Sequence, residues 1–113
     1  MTKLKEAFLE YNSRYFRNSI PRNTKVVWGE EDPNCIGYAR RTHEEPVELK
    51  IWISPRCQMG VIKNLLTRVT RGTLLHEMAH LKLWKKYPKE NHGNIFNKEM
   101  KRLAKVGAFR NLW

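Results

Sequence analysis

Acidic residues are scarce in this chain. Eleven Asp and Glu stand against 22 Lys and Arg in 113 residues, a net charge of +11. A charge of that sign favours nucleic acid or another polyanion as a partner. Cysteine is scarcer still: Cys35 and Cys57 stand far apart and no Cys-x-x-Cys pair exists. That excludes a disulfide framework and a paired-cysteine zinc ribbon, and reads as free thiols in a reducing compartment. No apolar run is long enough to cross a membrane. The opening Met1-Thr2-Lys3-Leu4-Lys5-Glu6 lacks a signal-peptide core. Repeats, low-complexity tracts and linkers are also missing. The expectation is one monomeric domain over residues 1–113, cytoplasmic or nucleoid-associated (nuclear in a eukaryote) and not secreted.

The charge that is present is segregated. Between Arg56 and Gly72 lie Arg56, Lys63, Arg68 and Arg71 with no acidic residue, and beyond Lys82 the acidic residues are Glu90 and Glu99 alone. Acidic side chains gather instead at Glu30-Glu31-Asp32 and at Glu44, Glu45 and Glu48. Such a division suits a polyanion and carries no base preference.

Leu4, Phe8, Tyr11 and Tyr15 recur at helical spacing, which predicts a helix from Lys3 to Arg17, broken by Pro21 and Asn23. Strands follow at Lys25–Trp28, at Ile36–Arg41 and at Val47–Ile53. In the last of these Val47, Leu49, Ile51 and Ile53 share a face, with Trp52 opposite. Turns are expected at Asp32-Pro33-Asn34 and His43-Glu44-Glu45-Pro46. After Pro55 the pattern turns helical, with Val61, Leu65, Leu66 and Val69 on one face and Gly72 weakening the run. That helix stops by Tyr87 because Pro88 follows. A last helix spans His92 to Val106, with Phe96, Met100 and Leu103 apolar and Lys98, Lys101, Arg102 and Lys105 forming a basic stripe. Helix, then strands, then helices is the order of an α+β domain.

The richest chemistry lies in Thr73-Leu74-Leu75-His76-Glu77-Met78-Ala79-His80. Residues four apart meet on one helix face, so His76 and His80 can offer imidazole nitrogens to one Zn²⁺. Glu77 is rotated about 100° from His76 and points beside the metal, where a carboxylate can act as general base. A catalytic zinc needs a third ligand, and Gly and His three and six residues past His80 are absent, replaced by Leu83 and Lys86. His92, Glu99 and His43 are the candidates.

The motif, followed by Trp84 and His92-Gly93-Asn94-Ile95-Phe96, resembles the SprT-like metallopeptidases, the family that includes the Spartan proteases. Tyr11-Asn12-Ser13-Arg14-Tyr15-Phe16, Val26-Val27-Trp28, Cys35-Ile36-Gly37-Tyr38-Ala39 and Ile51-Trp52-Ile53-Ser54 are similar to its earlier elements, in order. The resemblance implies a minimal zincin-like domain: an N-terminal helix, a small three-stranded sheet, an active-site helix and a C-terminal helix. It implies His92 as the third zinc ligand and proteins bound or crosslinked to DNA as substrates. Many members carry a zinc ribbon after the protease domain, and this sequence has none. Lys82, Lys85, Lys86, Lys98, Lys101, Arg102 and Lys105 are then the candidate DNA contacts. Tyr38 and Tyr87 are candidate oxyanion donors, and Trp52 is a candidate cleft wall. Two other readings remain: a zinc peptidase acting on peptides or on itself without DNA, and a non-catalytic DNA-binding module with structural zinc.

Overall fold

The computed structural model describes residues 2–29, 35–42, 45–58, 66–88 and 92–110. Helix α1 runs Lys3–Tyr15, strand β1 Lys25–Trp28, β2 Gly37–Arg41, and β3 Leu49–Ile53. A short 3-10 turn covers Pro55–Gln58, then α2 spans Arg68–Trp84 and α3 Asn94–Lys105. This is the expected α+β order. The turns expected around Asp32-Pro33-Asn34 and His43-Glu44, together with Val61, Lys63 and Leu65, lie outside the described residues.

Helix α1 opens on Thr2, whose hydroxyl accepts the Lys5 N–H. It ends two residues earlier than its apolar stripe suggests, because Arg17 and Asn18 take left-handed backbone (φ 52° and 56°). Asn12 accounts for that turn: fully buried, it donates to the Ile20 carbonyl (2.7 Å) and accepts the Ile20 N–H (3.2 Å). The chain is thereby folded back toward β1.

The sheet order is β1-β3-β2, with β1 parallel and β2 antiparallel to β3. Period-two alternation sends Val26, Ile51 and Ala39 to one face, together with Ile53, and all four are buried. The leading end of the expected third strand is different: Val47 is exposed and precedes β3. Against the buried face lie Leu74, Leu75 and Met78 of α2, with Leu4 and Phe8 of α1 in the same core. Helix α2 starts at Arg68, capped by the Thr67 hydroxyl accepting the Thr70 N–H at 3.0 Å. Val69 therefore sits in its first turn and is exposed, not on the apolar face. The helix passes through Gly72, where an added methyl would meet nothing within 4 Å.

Helix α3 is fastened by a buried carboxylate. Glu99 receives Lys82 Nζ from α2 (2.8 and 3.0 Å) and Arg102 Nε (2.8 Å), and Arg102 also donates to the Tyr15 carbonyl. Three helices meet at that one node. Removing the carboxylate strands two part-buried cations. Glu99→Ala is expected to cost about 1–3 kcal/mol, read as a lower urea midpoint at unchanged m.

Candidate active site

Helix α2 brings His76 and His80 to one side, and the segment leading into α3 returns His92 to them. His92 Nε2 lies 3.1 Å from His76 Nε2 and 3.1 Å from His80 Nε2, and the three ligand atoms fall within 4.8 Å of one another. A tetrahedron with bonds of about 2.0–2.1 Å has edges of about 3.3 Å, so the two 3.1 Å separations from His92 match edges around one ion. The donor chemistry agrees. One His92 nitrogen cannot satisfy two facing imidazole nitrogens by hydrogen bonding, because each ring nitrogen offers one proton or one lone pair. A cation between the three satisfies all of them. Among the described residues, this is the cluster able to hold a metal.

Of the other proposed third ligands, Glu99 is committed to Lys82 and Arg102, and His43 lies outside the described residues. Phe96 holds the cluster from beneath. Its ring stacks on His80 (4.4 Å between centroids, 21°) and meets His76 and His92 edge-on at 4.9 and 5.1 Å. Spacing placed Phe96 in the core, and the fold gives it contact with all three ligands. Trp84 stacks on the same His80 ring at 5.8 Å. Gly93 is the N-cap of α3 with φ −90°, a value open to any residue.

Burial tunes the site. It lowers the His80 pKa to about 4, helped by His76 and His92, so its imidazole is neutral and ready to bind a metal at neutral pH. His76 is lowered too, by burial and then by His92. Among the described residues His80 Nδ1 finds no hydrogen-bond partner. Burial alone raises Glu77 from the usual carboxylate range to about 7.

A residue that spacing could not rank stands over Glu77. A Cβ on Gly37 would come within 2.4 Å of Thr73 Cγ2 and 2.9 Å of Glu77 Oε2. The backbone of β2 thus lies directly on the helix turn that carries Glu77. A glycine inside a strand is the sequence signal of such a close approach.

The other expectations are redistributed. Tyr38 and Trp52 pack on each other (5.8 Å) on the sheet face away from α2, so Trp52 backs the sheet instead of lining the cleft. Tyr87 lies under Lys86 Nζ, 5.5 Å from the ring centroid. Lys82 and Arg102 are tied to Glu99, while Lys85, Lys86, Lys98, Lys101 and Lys105 are exposed.

Three converging histidines, two of them four apart on a helix with a buried glutamate between, define a metallopeptidase active site of the His-Glu-x-x-His class. The family comparison agrees with the geometry: the SprT-like family model matches residues 4–111, and the chain belongs to that family. No curated protein matches it. No helix among the described residues is long and apolar enough to cross a membrane.

Proposed function

We propose that the chain is a zinc-dependent endopeptidase that cleaves proteins bound or crosslinked to DNA. The observation that carries this reading is the convergence of His76, His80 and His92 beside the buried Glu77. Three imidazole nitrogens suit Zn²⁺ among the common divalent ions, and leave a position for water. When bound, the ion supplies Lewis acidity that brings the pKa of water to about 7. Glu77 acts as general base: its carboxylate takes the proton of the attacking water and returns it to the leaving amine.

Strand β2 offers a seat for an extended substrate. Thr42 N–H donates to Glu48 O (3.0 Å) and Ser54 N–H to Ile36 O (2.8 Å). By antiparallel alternation, Tyr38 and Arg40 turn their backbone groups toward β3, leaving those of Gly37, Ala39 and Arg41 on the outer edge. A peptide added there runs over Glu77 at Gly37 and into a groove of about 630 Å³ lined by Tyr38, Arg40, Arg41 and Trp84.

The DNA part rests on charge. Lys85 and Lys86 present exposed ammonium groups just past the end of α2, and Lys98, Lys101 and Lys105 do so along α3, the helix that follows His92. Lys82 and Arg102 contribute less, because Glu99 already offsets them. The test incubates zinc-loaded protein with a DNA-binding protein substrate, with and without DNA, beside a chelator-treated sample. Cleavage that needs both metal and DNA is expected. Cleavage indifferent to DNA would leave a general zinc peptidase, and DNA binding with no cleavage would sink the enzymatic reading.

A further inference from the structure

We propose that the outward face of the sheet seats single-stranded nucleic acid. Strand register places Lys25 opposite Lys50 and Lys50 opposite Arg40, so three cations form one row across all three strands. The next row on the same face is Val27, Trp52 and Tyr38. Like charges directly opposite on adjacent strands destabilise a sheet. Among the described residues none of the three cations forms an ion pair. Lys50 Nζ lies 4.6 Å from the centroid of the Trp52 ring, and Glu48, two positions before Lys50, is the nearest acidic residue along β3. A row that costs stability is accounted for by a ligand bearing several negative charges.

The aromatic row says which ligand. Tyr38 is 40% exposed and leans on the half-buried Trp52 at 57°. Together they offer ring area beside phosphate-binding cations, the combination that holds unpaired bases. Duplex DNA hides its base faces, and an acidic protein segment would use the cations without needing the rings. Tyr38 and Arg40 also line the groove that reaches Trp84 and, through it, His80. A strand crossing this face therefore leads to the edge of the cleft. The purpose given to this seat rests on the DNA-dependent peptidase reading, but the binding itself does not.

The test measures fluorescence anisotropy of labelled oligodeoxythymidylate and of a duplex of equal length across a salt series. It uses metal-free Glu77→Gln protein, so no cleavage is required. Lys25→Gln/Arg40→Gln changes two exposed side chains. It is expected to weaken single-strand binding about tenfold or more and to lower the salt slope by about 1.4, at about 0.7 per phosphate contact. Tyr38→Ala is expected to weaken it about 5- to 100-fold with the slope unchanged. Arg40→Lys keeps the wild-type slope. Lys98→Gln/Lys101→Gln/Lys105→Gln weakens single strand and duplex alike.

If the preference for single strand survives both sheet-face variants, the seat is overturned and the peptidase reading stands. Polyglutamate binding as tightly as the oligonucleotide and indifferent to Tyr38→Ala would make this an acidic-protein surface, which also overturns it. Loss of the preference in protein whose wild-type form cleaves nothing upholds the seat and sinks the peptidase reading.

Discussion

Glu77→Gln is expected to lower peptide cleavage by about 10²–10⁴-fold, the usual contribution of a general base, while zinc binding is retained. The amide keeps the shape of the side chain and cannot accept the proton. The same substitution has a second consequence, in the metal-free protein. The folded state raises Glu77 from 4.5 to about 7 by burial, so it binds that proton more tightly than the unfolded chain does. Stability therefore falls as pH rises from about 4.5 to 7, and the cost is complete above 7. Glutamine removes it: above pH 7 the variant should be more stable than the parent by about 1–3 kcal/mol, with the gain fading toward pH 5.

His80 works with the opposite sign. Its folded pKa of about 4 lies below the ordinary 6.5, so the unfolded chain takes up the proton first. Stability is lost as pH falls from 6.5 to 4. In the parent the two groups offset each other across that window. In Glu77→Gln nothing from residue 77 offsets the His80 loss, His76 adds to it in the same direction, and urea midpoints should decline steadily from pH 6.5 to 4. A flat profile in the variant, or an unchanged midpoint at pH 8, would refute the burial argument.

Gly37→Ala should be the most damaging small substitution outside the metal ligands. The new methyl would stand 2.4 Å from Thr73 Cγ2 and 2.9 Å from Glu77 Oε2. Thr73 is branched close to the helix backbone and yields little, so overpacking costs about 1–3 kcal/mol. Glu77 can swing away, but only by leaving its place, and a displacement of about 1 Å can cost about 10²-fold in rate. Adding Thr73→Ser separates the two effects, because it deletes the clashing methyl and leaves the carboxylate contact. The double variant should recover most of its melting temperature while kcat stays low. Joint recovery of stability and kcat would show that Gly37 matters for folding alone.

Much of the site was legible because helical geometry is local. Two residues four apart must share a face, so His76 and His80 could be paired and Glu77 set beside them from spacing alone. The basic stripe of α3 shows where that logic stops. Spacing groups Arg102 with Lys98, Lys101 and Lys105, yet Arg102 and Lys82 converge on Glu99 from different helices. No single-helix pattern contains that pairing. Val69 was misplaced for a related reason: apolar residues before Thr67 read as one continued helical face, and the Thr67 cap starts the helix later.

By itself, then, the sequence determined the α+β order, the two histidines and glutamate of one helix, and a strongly cationic surface. Each follows from contacts between residues a few positions apart, or from composition. Tertiary structure decided what joins distant segments. It selected His92 over Glu99 and set Phe96 under all three rings. It pressed Gly37 of β2 against Glu77, and it aligned Lys25, Lys50 and Arg40 from three strands in one row. Those outcomes depend on strand register and helix packing, which bring together residues with no fixed relation along the chain.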